Sequence, residues 1–350
     1  MGVRSGSSVS GRCWPVVCVL VMAFFEQAAG SDYDHHSFTL RLPAALSRLA
    51  TYGDVAAGGG ASAASKWESA VNPASCATQP RKGRRVNLSG QVVGIWFEEG
   101  NRLRLTSEAV TIDAGEWGVF LPAIAQIRTN SSTARSGLDF ELEGSYYQLQ
   151  WGKRVSETTA VGLTLAYTRS ESRFKLGSIN VTKADGPGYT ARLGLLHEAT
   201  ERVRVGLVCE YSRAPSTTIY YDFMRLGIGD IKVRDTTHQV LVRPGISFEY
   251  KPDSAVYLDY QFGWFSDDTG RLRVHRIYAG IDHELLEGFY VRAGLAWDNR
   301  EDTPAWTCGV GIYPTDRFTL DIGYQYDMFP ELGPEFGHSH TVVASMALAF

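Results

Sequence analysis

From residue 87 to residue 350 apolar side chains return at every second position. Between Ser254 and Phe265, Val256, Leu258, Tyr260, Phe262 and Trp264 fall on one face, and Tyr257, Asp259, Gln261 and Gly263 on the other. Phe318, Leu320, Ile322, Tyr324 and Tyr326 repeat the pattern against Thr319, Asp321, Gly323, Gln325 and Asp327, as do Val203, Val205, Leu207, Cys209 and Tyr211 against Arg202, Arg204, Gly206, Val208 and Glu210. Period two marks strands with unlike faces. Fourteen segments qualify, at about 87–97, 102–112, 117–128, 139–152, 158–170, 187–198, 201–212, 237–250, 254–265, 272–284, 287–298, 303–313, 317–327 and 339–350.

A soluble sandwich alternates too, so the connections decide. Short turns near Ala199-Thr200, Lys251-Pro252-Asp253, Leu285-Leu286-Glu287 and Pro314-Thr315-Asp316 alternate with longer polar stretches at about 170–186, 213–236, 265–271, 299–303 and 328–338. An up-and-down transmembrane β-barrel requires that alternation, and an even strand number puts both termini at the short-turn end. Twelve strands would keep the same parity. Unpaired backbone in hydrocarbon costs several kcal/mol, so such a sheet must close. Pro244, inside the eighth segment, removes a ladder donor and predicts a bulge, kink or local gap.

The last segment sets Val342, Ala344, Met346, Leu348 and Phe350 on one face. This ending resembles the terminal strand of outer-membrane proteins, whose closing aromatic is part of the signal read by the outer-membrane insertion machinery. Trp96, Tyr146, Tyr147, Trp151, Tyr167, Tyr211, Tyr250, Trp264, Trp297, Trp306, Tyr313 and Tyr326 lie near strand ends, where aromatic girdles form. The opposite phase is expected to carry Glu141, Glu143, Arg204, Glu210, Arg243, Glu249, Asp259, Arg276, Asp282, Arg292, Asp298 and Asp321 inward, paired with one another or in contact with water.

Residues 1–30 hold Arg4 and Arg12, an apolar run from Trp14 to Phe25, and Ala28-Ala29-Gly30, the order of a secretory signal peptide. The run is short of the roughly 20 residues of a membrane-spanning helix. Residues 31–86 lack alternation and contain the small-residue stretch Ala56–Ser65 followed by Asn72-Pro73-Ala74. They read as an N-terminal arm or as a plug whose glycines and alanines permit close backbone packing.

Mean hydropathy is only -0.15, as expected where alternate residues alone face lipid. With 34 Lys+Arg against 38 Asp+Glu the chain implies no nucleic-acid partner. Cys76, Cys209 and Cys308 remain beyond residue 30, and their disulfide status is open. There is no G-x-S-x-G element and no phosphate-binding glycine loop. His35-His36 and His338-Ser339-His340 lack ligand companions at metal spacing. No enzyme activity, cofactor or metal is expected.

Ser62-Ala63-Ala64-Ser65-Lys66-Trp67 with Asn72-Pro73-Ala74 resembles the N-terminal hatch of the FadL/TodX family of outer-membrane transporters. The turns Ala199-Thr200-Glu201-Arg202 and Pro314-Thr315-Asp316-Arg317 are similar to that family's hairpin turns. The resemblance implies a fourteen-stranded barrel with an N-terminal plug in the bacterial outer membrane. It also implies passive transport of hydrophobic compounds such as long-chain fatty acids or aromatic hydrocarbons. Asn72, Pro73 and Ala74 would belong to the plug. The fourth outer loop, with Ile219, Tyr220, Tyr221, Phe223, Met224, Leu226 and Ile228, would capture the ligand. Arg204, Arg243, Arg276 and Arg292, read as inward-facing, could meet a charged headgroup. The rival readings are a non-transporting barrel that serves as a scaffold or joins an envelope protein partner, and a general porin.

Overall fold

The computed structural model describes residues 33–65, 70–78, 86–100, 102–131, 139–222, 229–300, 304–315 and 317–350. The expected signal peptide, Lys66 and Trp67 of the hatch-like stretch, and Phe223, Met224, Leu226 and Ile228 of the expected capture loop lie outside the described residues. Fourteen antiparallel strands form one closed barrel. They are β1 (Val86–Phe97), β2 (Arg102–Asp113), β3 (Val119–Ser131), β4 (Asp139–Arg154), β5 (Thr159–Leu176), β6 (Ile179–Glu198), β7 (Val203–Tyr220), β8 (Ile231–Lys251), β9 (Ser254–Ser266), β10 (Arg271–Leu286), β11 (Phe289–Asp298), β12 (Ala305–Thr315), β13 (Phe318–Tyr326) and β14 (Ser339–Ala349). Closure is made by β1 on β14, from Asn87 opposite Ala349 to Phe97 opposite Ser339.

The alternation behaves as expected. Along β14 Val343 is buried, whereas Met346, Leu348 and Phe350 point outward and are exposed. The same phase leaves Leu165, Leu193, Leu207 and Ile322 exposed, an apolar outer surface far larger than a soluble monomer tolerates. Two expectations change. The stretches 170–186 and 213–236 are mostly strand, since β5 and β6 meet in a tight turn after Leu176 and β7 and β8 run to Tyr220 and from Ile231. Above the wall both strand faces meet polar surroundings, so pairing continues after alternation has faded. Glu141 and Glu143 point outward, because Phe140 and Leu142 take the inward phase of β4. Pro244 produces a gap: the β8–β9 ladder jumps from Val242–Phe262 to Gly245–Asp259 in unchanged register. Further gaps in unchanged register separate Ala109–Ala123 from Ile112–Phe120 in the β2–β3 ladder, at Pro122, and Asp185–Thr217 from Tyr189–Arg213 in the β6–β7 ladder, at Pro187 and Pro215.

The N-terminal segment is inside the barrel. Helix α1 (Phe38–Leu46) lies near the loop end, α2 (Gly53–Ala57) follows at mid-wall, and a 3₁₀ turn (Pro73–Ala77) sits near the short-turn end. A band of inward glycines makes room for it. Gly152 is opposite Gly162, which is opposite Gly194; Gly206 faces Gly245, Gly280 faces Gly294, and Gly309 faces Gly323. A Cβ at any of these positions would come within 3.0 Å of another group; for Gly162, Gly206, Gly280 and Gly294 the nearest atoms are plug backbone. The missing side chains let one backbone lie directly on another.

Between Gly323 and Gly144 the same row carries Val343, Val93, Leu105 and Ile127 instead. The plug is thus pressed against β4–β13 and faces apolar side chains on β14–β3.

Gly206→Leu would drive a side chain into the Ala63 carbonyl, an overpacking of about 1–3 kcal/mol. The expected result is a barrel that still shows heat-modifiable migration on gels, but whose 31–86 segment is cut by protease. Unchanged protection would show that the glycine band does not seat the plug.

Candidate functional site

Three groups of contacts fix the plug. Asn72 is fully buried before the 3₁₀ turn; its Oδ1 accepts from the Ala74 N–H at 3.0 Å, and its Nδ2 donates to the Ala63 carbonyl at 2.6 Å and the Leu195 carbonyl at 2.9 Å. Pro73 occupies the first turn position, where no donor is needed. Ala74 has no exposed surface, Gly162 abuts the Pro73-Ala74 backbone, and Gly194 abuts the Asn72 and Pro73 side chains. These three residues therefore join two legs of the plug to the wall.

Asp259 forms the second anchor. Its Oδ2 accepts from the Ser62 and Ala63 N–H groups, each at 2.8 Å, and from Arg243 Nε at 2.9 Å. Arg243 also donates to the Gly60 carbonyl and lies 4.2 Å from the Tyr278 ring centroid. The third anchor is a buried charge network near the loop end. Arg48 and Arg276 each pair with both Asp298 and Glu331. Tyr33 donates to Asp298 at 2.5 Å. Burial first, and then Asp298 and Glu331, push the Tyr33 phenol well up, so it stays protonated as a donor. Arg276 also donates to Ser47 Oγ at 2.8 Å and the Ala44 carbonyl at 3.2 Å. Residues before β1, residues of β10 and β11, and the connection after β13 are thereby tied together.

All four arginines singled out in the sequence are buried and engaged. Arg292 donates to Asp321 at 2.6 Å and Tyr313 at 2.9 Å, and Arg204 to Glu249 at 3.3 Å. Arg243 and Arg276 are plug anchors. Tyr220 is exposed at the end of β7 with Tyr221 after it, and Ile219 is opposite Lys232. Among the described residues Cys76, Cys209 and Cys308 form no disulfide. Among the described residues no group of three or more His, Cys, Asp or Glu is arranged to hold a metal.

What the structure brings together beyond the sequence reading is an aromatic cluster near the loop end. Phe38 of α1 meets Phe140 and Phe174 at 5.4 Å each and Phe336 at 6.3 Å. Phe140 meets Phe174 at 4.9 Å and Phe336 at 5.5 Å, and Phe97 meets Phe336 at 5.5 Å. Below it Leu42, Leu49 and Tyr52 of the plug pack on the cluster that includes Val93, Ile95, Leu103 and Leu105. The barrel interior is therefore divided, with paired charges and glycines on one side and an aromatic and aliphatic surface on the other. The only signal for this surface was the phase of Phe140 and Leu142 on β4, opposite to Glu141 and Glu143.

Asp259→Ala would leave Arg243 without its carboxylate and two plug N–H groups without an acceptor, a loss of about 3–5 kcal/mol. The urea midpoint should fall accordingly. Adding Arg243→Met should restore part of the loss, because the stranded charge is then gone.

No family model and no curated protein sequence matches the chain. Solved structures do match its fold. The CymD monoaromatic hydrocarbon channel superposes with a TM-score of 0.57 at 14% identity, over 85% of this chain and 99% of that one. The toluene transporter TbuX of Ralstonia pickettii gives 0.56 at 14% identity, over 90% and 100%. A FadL homologue of Pseudomonas aeruginosa gives 0.57 at 11% identity, over 86% and 98%. By its fold, this chain is similar to the FadL/TodX-type barrels.

Proposed function

We propose that this chain is an outer-membrane channel for passive transport of hydrophobic compounds, such as long-chain fatty acids or aromatic hydrocarbons. The observation that carries the reading is the apolar half of the interior, from the Phe38–Phe140–Phe174–Phe336 cluster down to Val93 and Leu105. An apolar molecule gains about 25 cal/mol for each Å² it removes from water, and this surface runs from the loop end to mid-wall. A ligand would take the place of plug side chains such as Phe38 and Leu42, while the opposite face of the plug stays on the glycine band.

The ladder gaps at Pro244 and Pro122 differ as routes out. The gap at Pro244 is covered from inside by the Arg243–Asp259 pair and the plug. The gap at Pro122 is bordered by Val110, Thr111 and Leu121, which suits an apolar molecule leaving sideways toward lipid. The solved structures of similar fold include monoaromatic hydrocarbon channels and toluene transporters, which supports the same substrate class. A general porin fits less well with a lumen lined by nine glycines against which a plug is seated. The scaffold reading predicts no small-molecule binding at all.

Native mass spectrometry of refolded protein against fatty acids and aromatic hydrocarbons is expected to show saturable binding, weakened about tenfold or more by Phe140→Ala, a loss of about 1.4 kcal/mol or more. Absence of binding in the unaltered protein would move the scaffold reading to first place. Pro122→Val restores a ladder donor. In liposome uptake assays it should slow transfer severalfold while leaving ligand binding unchanged, and an unaltered rate would place the exit elsewhere.

A further inference from the structure

The outer wall carries a group of arginines that neither the lumen nor the plug uses. Leu103 and Leu105 are buried on the inward face of β2, so Arg102 and Arg104 point outward. Arg104 stands directly opposite Arg128 of β3, and Arg102 opposite Trp96 of β1. Like charges placed opposite one another on a sheet repel. Among the described residues Arg102 and Arg104 have no ion-pair partner, and Arg128 has only Glu143 at 3.2 Å, with both side chains well exposed. Such an exposed pair contributes little.

Beside them the wall has a groove of about 400 Å³, whose lining includes Gln126, Arg128, Ser145 and Arg169 above Tyr147 and Tyr167. Ser145 is opposite both Gln126 and Arg169. Glu143 and Glu171 also border the groove, but Glu171 is already engaged by Lys183 at 2.8 Å and by Arg173. The remaining charge is therefore positive. The height of the groove is set by aromatics: Trp96 is stacked on His340 at 6.0 Å, and Tyr147 on Tyr167 at 6.4 Å, all on the outward phase. Such residues mark the level of lipid headgroups. Toward the short-turn end the same face carries Ile124, Pro122, Leu149 and Leu165, a surface for acyl chains, with exposed Glu108 opposite Ile124 at its β2 edge.

We propose that this face binds a phosphorylated glycolipid of the outer leaflet, of the lipid A class. Arg102, Arg104, Arg128 and Arg169 take the phosphates, Gln126 and Ser145 the sugar hydroxyls, and the apolar rows below them the acyl chains. Guanidinium groups suit this task because they meet phosphate oxygens through two parallel N–H bonds. The inference rests on the outer-membrane placement given above, but not on the transported substrate.

The test uses full-length mature protein, refolded from denaturant and free of lipid. It is titrated with lipid A, with the same lipid after removal of both phosphates, and with inorganic phosphate. Saturable binding of lipid A is expected, weakened at least tenfold by dephosphorylation and by Arg104→Ala/Arg128→Ala. Arg213→Ala, on the outward face of β7, should leave it unchanged. Gel mobility checks folding of each variant, and single variants Arg102→Ala and Arg169→Ala give a milder series if the double variant fails to fold. Equal binding of the dephosphorylated lipid, or indifference to all the arginine changes, would overturn the proposal. So would inorganic phosphate binding as tightly as the lipid, which would make this a free-anion site. Hydrocarbon binding measured on the same samples reports separately on the channel reading.

Discussion

The whole interior depends on one constraint: a plug inside a narrow barrel must satisfy its own backbone. Buried N–H and C=O groups need partners, and side chains on the wall would hold the plug too far away to find them. The glycine band removes that spacing over nine strands. Wall residues between the glycines then reach plug carbonyls directly. Thr307 donates to Ala57 at 2.7 Å, Ser247 to Ala64 at 3.1 Å and Gln325 to Ala56 at 3.2 Å. Ser345 accepts from the Gly53 N–H at 3.0 Å. Close approach and hydrogen bonding are thus one device.

The charges follow from the same arrangement. Arg243–Asp259 and the Arg48–Arg276–Asp298–Glu331 network would be costly to bury as isolated ions. Each instead binds an opposite charge and a plug backbone group or a loop, so that removing any member strands the others. Because these anchors occupy the β8–β13 side, the β14–β4 side is left to aromatic and aliphatic residues. A ligand that needs no polar partner can compete for that surface without disturbing the ion pairs.

The outer surface is divided by height rather than by strand. Apolar rows with aromatics above them recur on the outer faces of strands such as β4–β7 and β12–β14, and charge gathers at the loop end of β2–β6. There the wall extends beyond the belt in β5–β8, and the paired strands carry polar residues on both faces. The arginines of β2 and β3 lie at the boundary between the two regimes.

The count of fourteen over twelve and the phase of β4 at Glu141 and Glu143 needed the structure, but the sequence by itself determined an even-numbered, closed up-and-down topology and, on strands such as β9 and β14, the phase that faces lipid. Each of these is a property of local alternation repeated along the chain, and Val342 to Phe350 or Val256 to Trp264 carry it without reference to any neighbour. It also marked Pro244 as a break in the ladder, since proline lacks a donor wherever it stands, whereas the assignment of Asn72-Pro73-Ala74 to a plug came from the family resemblance and not from any local pattern. Only the tertiary structure decided the rest. Residues 33–65 and 70–78 lie in the lumen because glycines spaced far apart in sequence come into one band through strand register. Arg243 and Arg276 hold the plug because their partners, Asp259, Asp298 and Glu331, are brought to them across the sheet. Phe38, Phe97, Phe140, Phe174 and Phe336 come from five separate elements, and no local period could have joined them. Where both faces of a strand are polar, as at the tips of β5 and β6, alternation carries no information and pairing alone defines the strand.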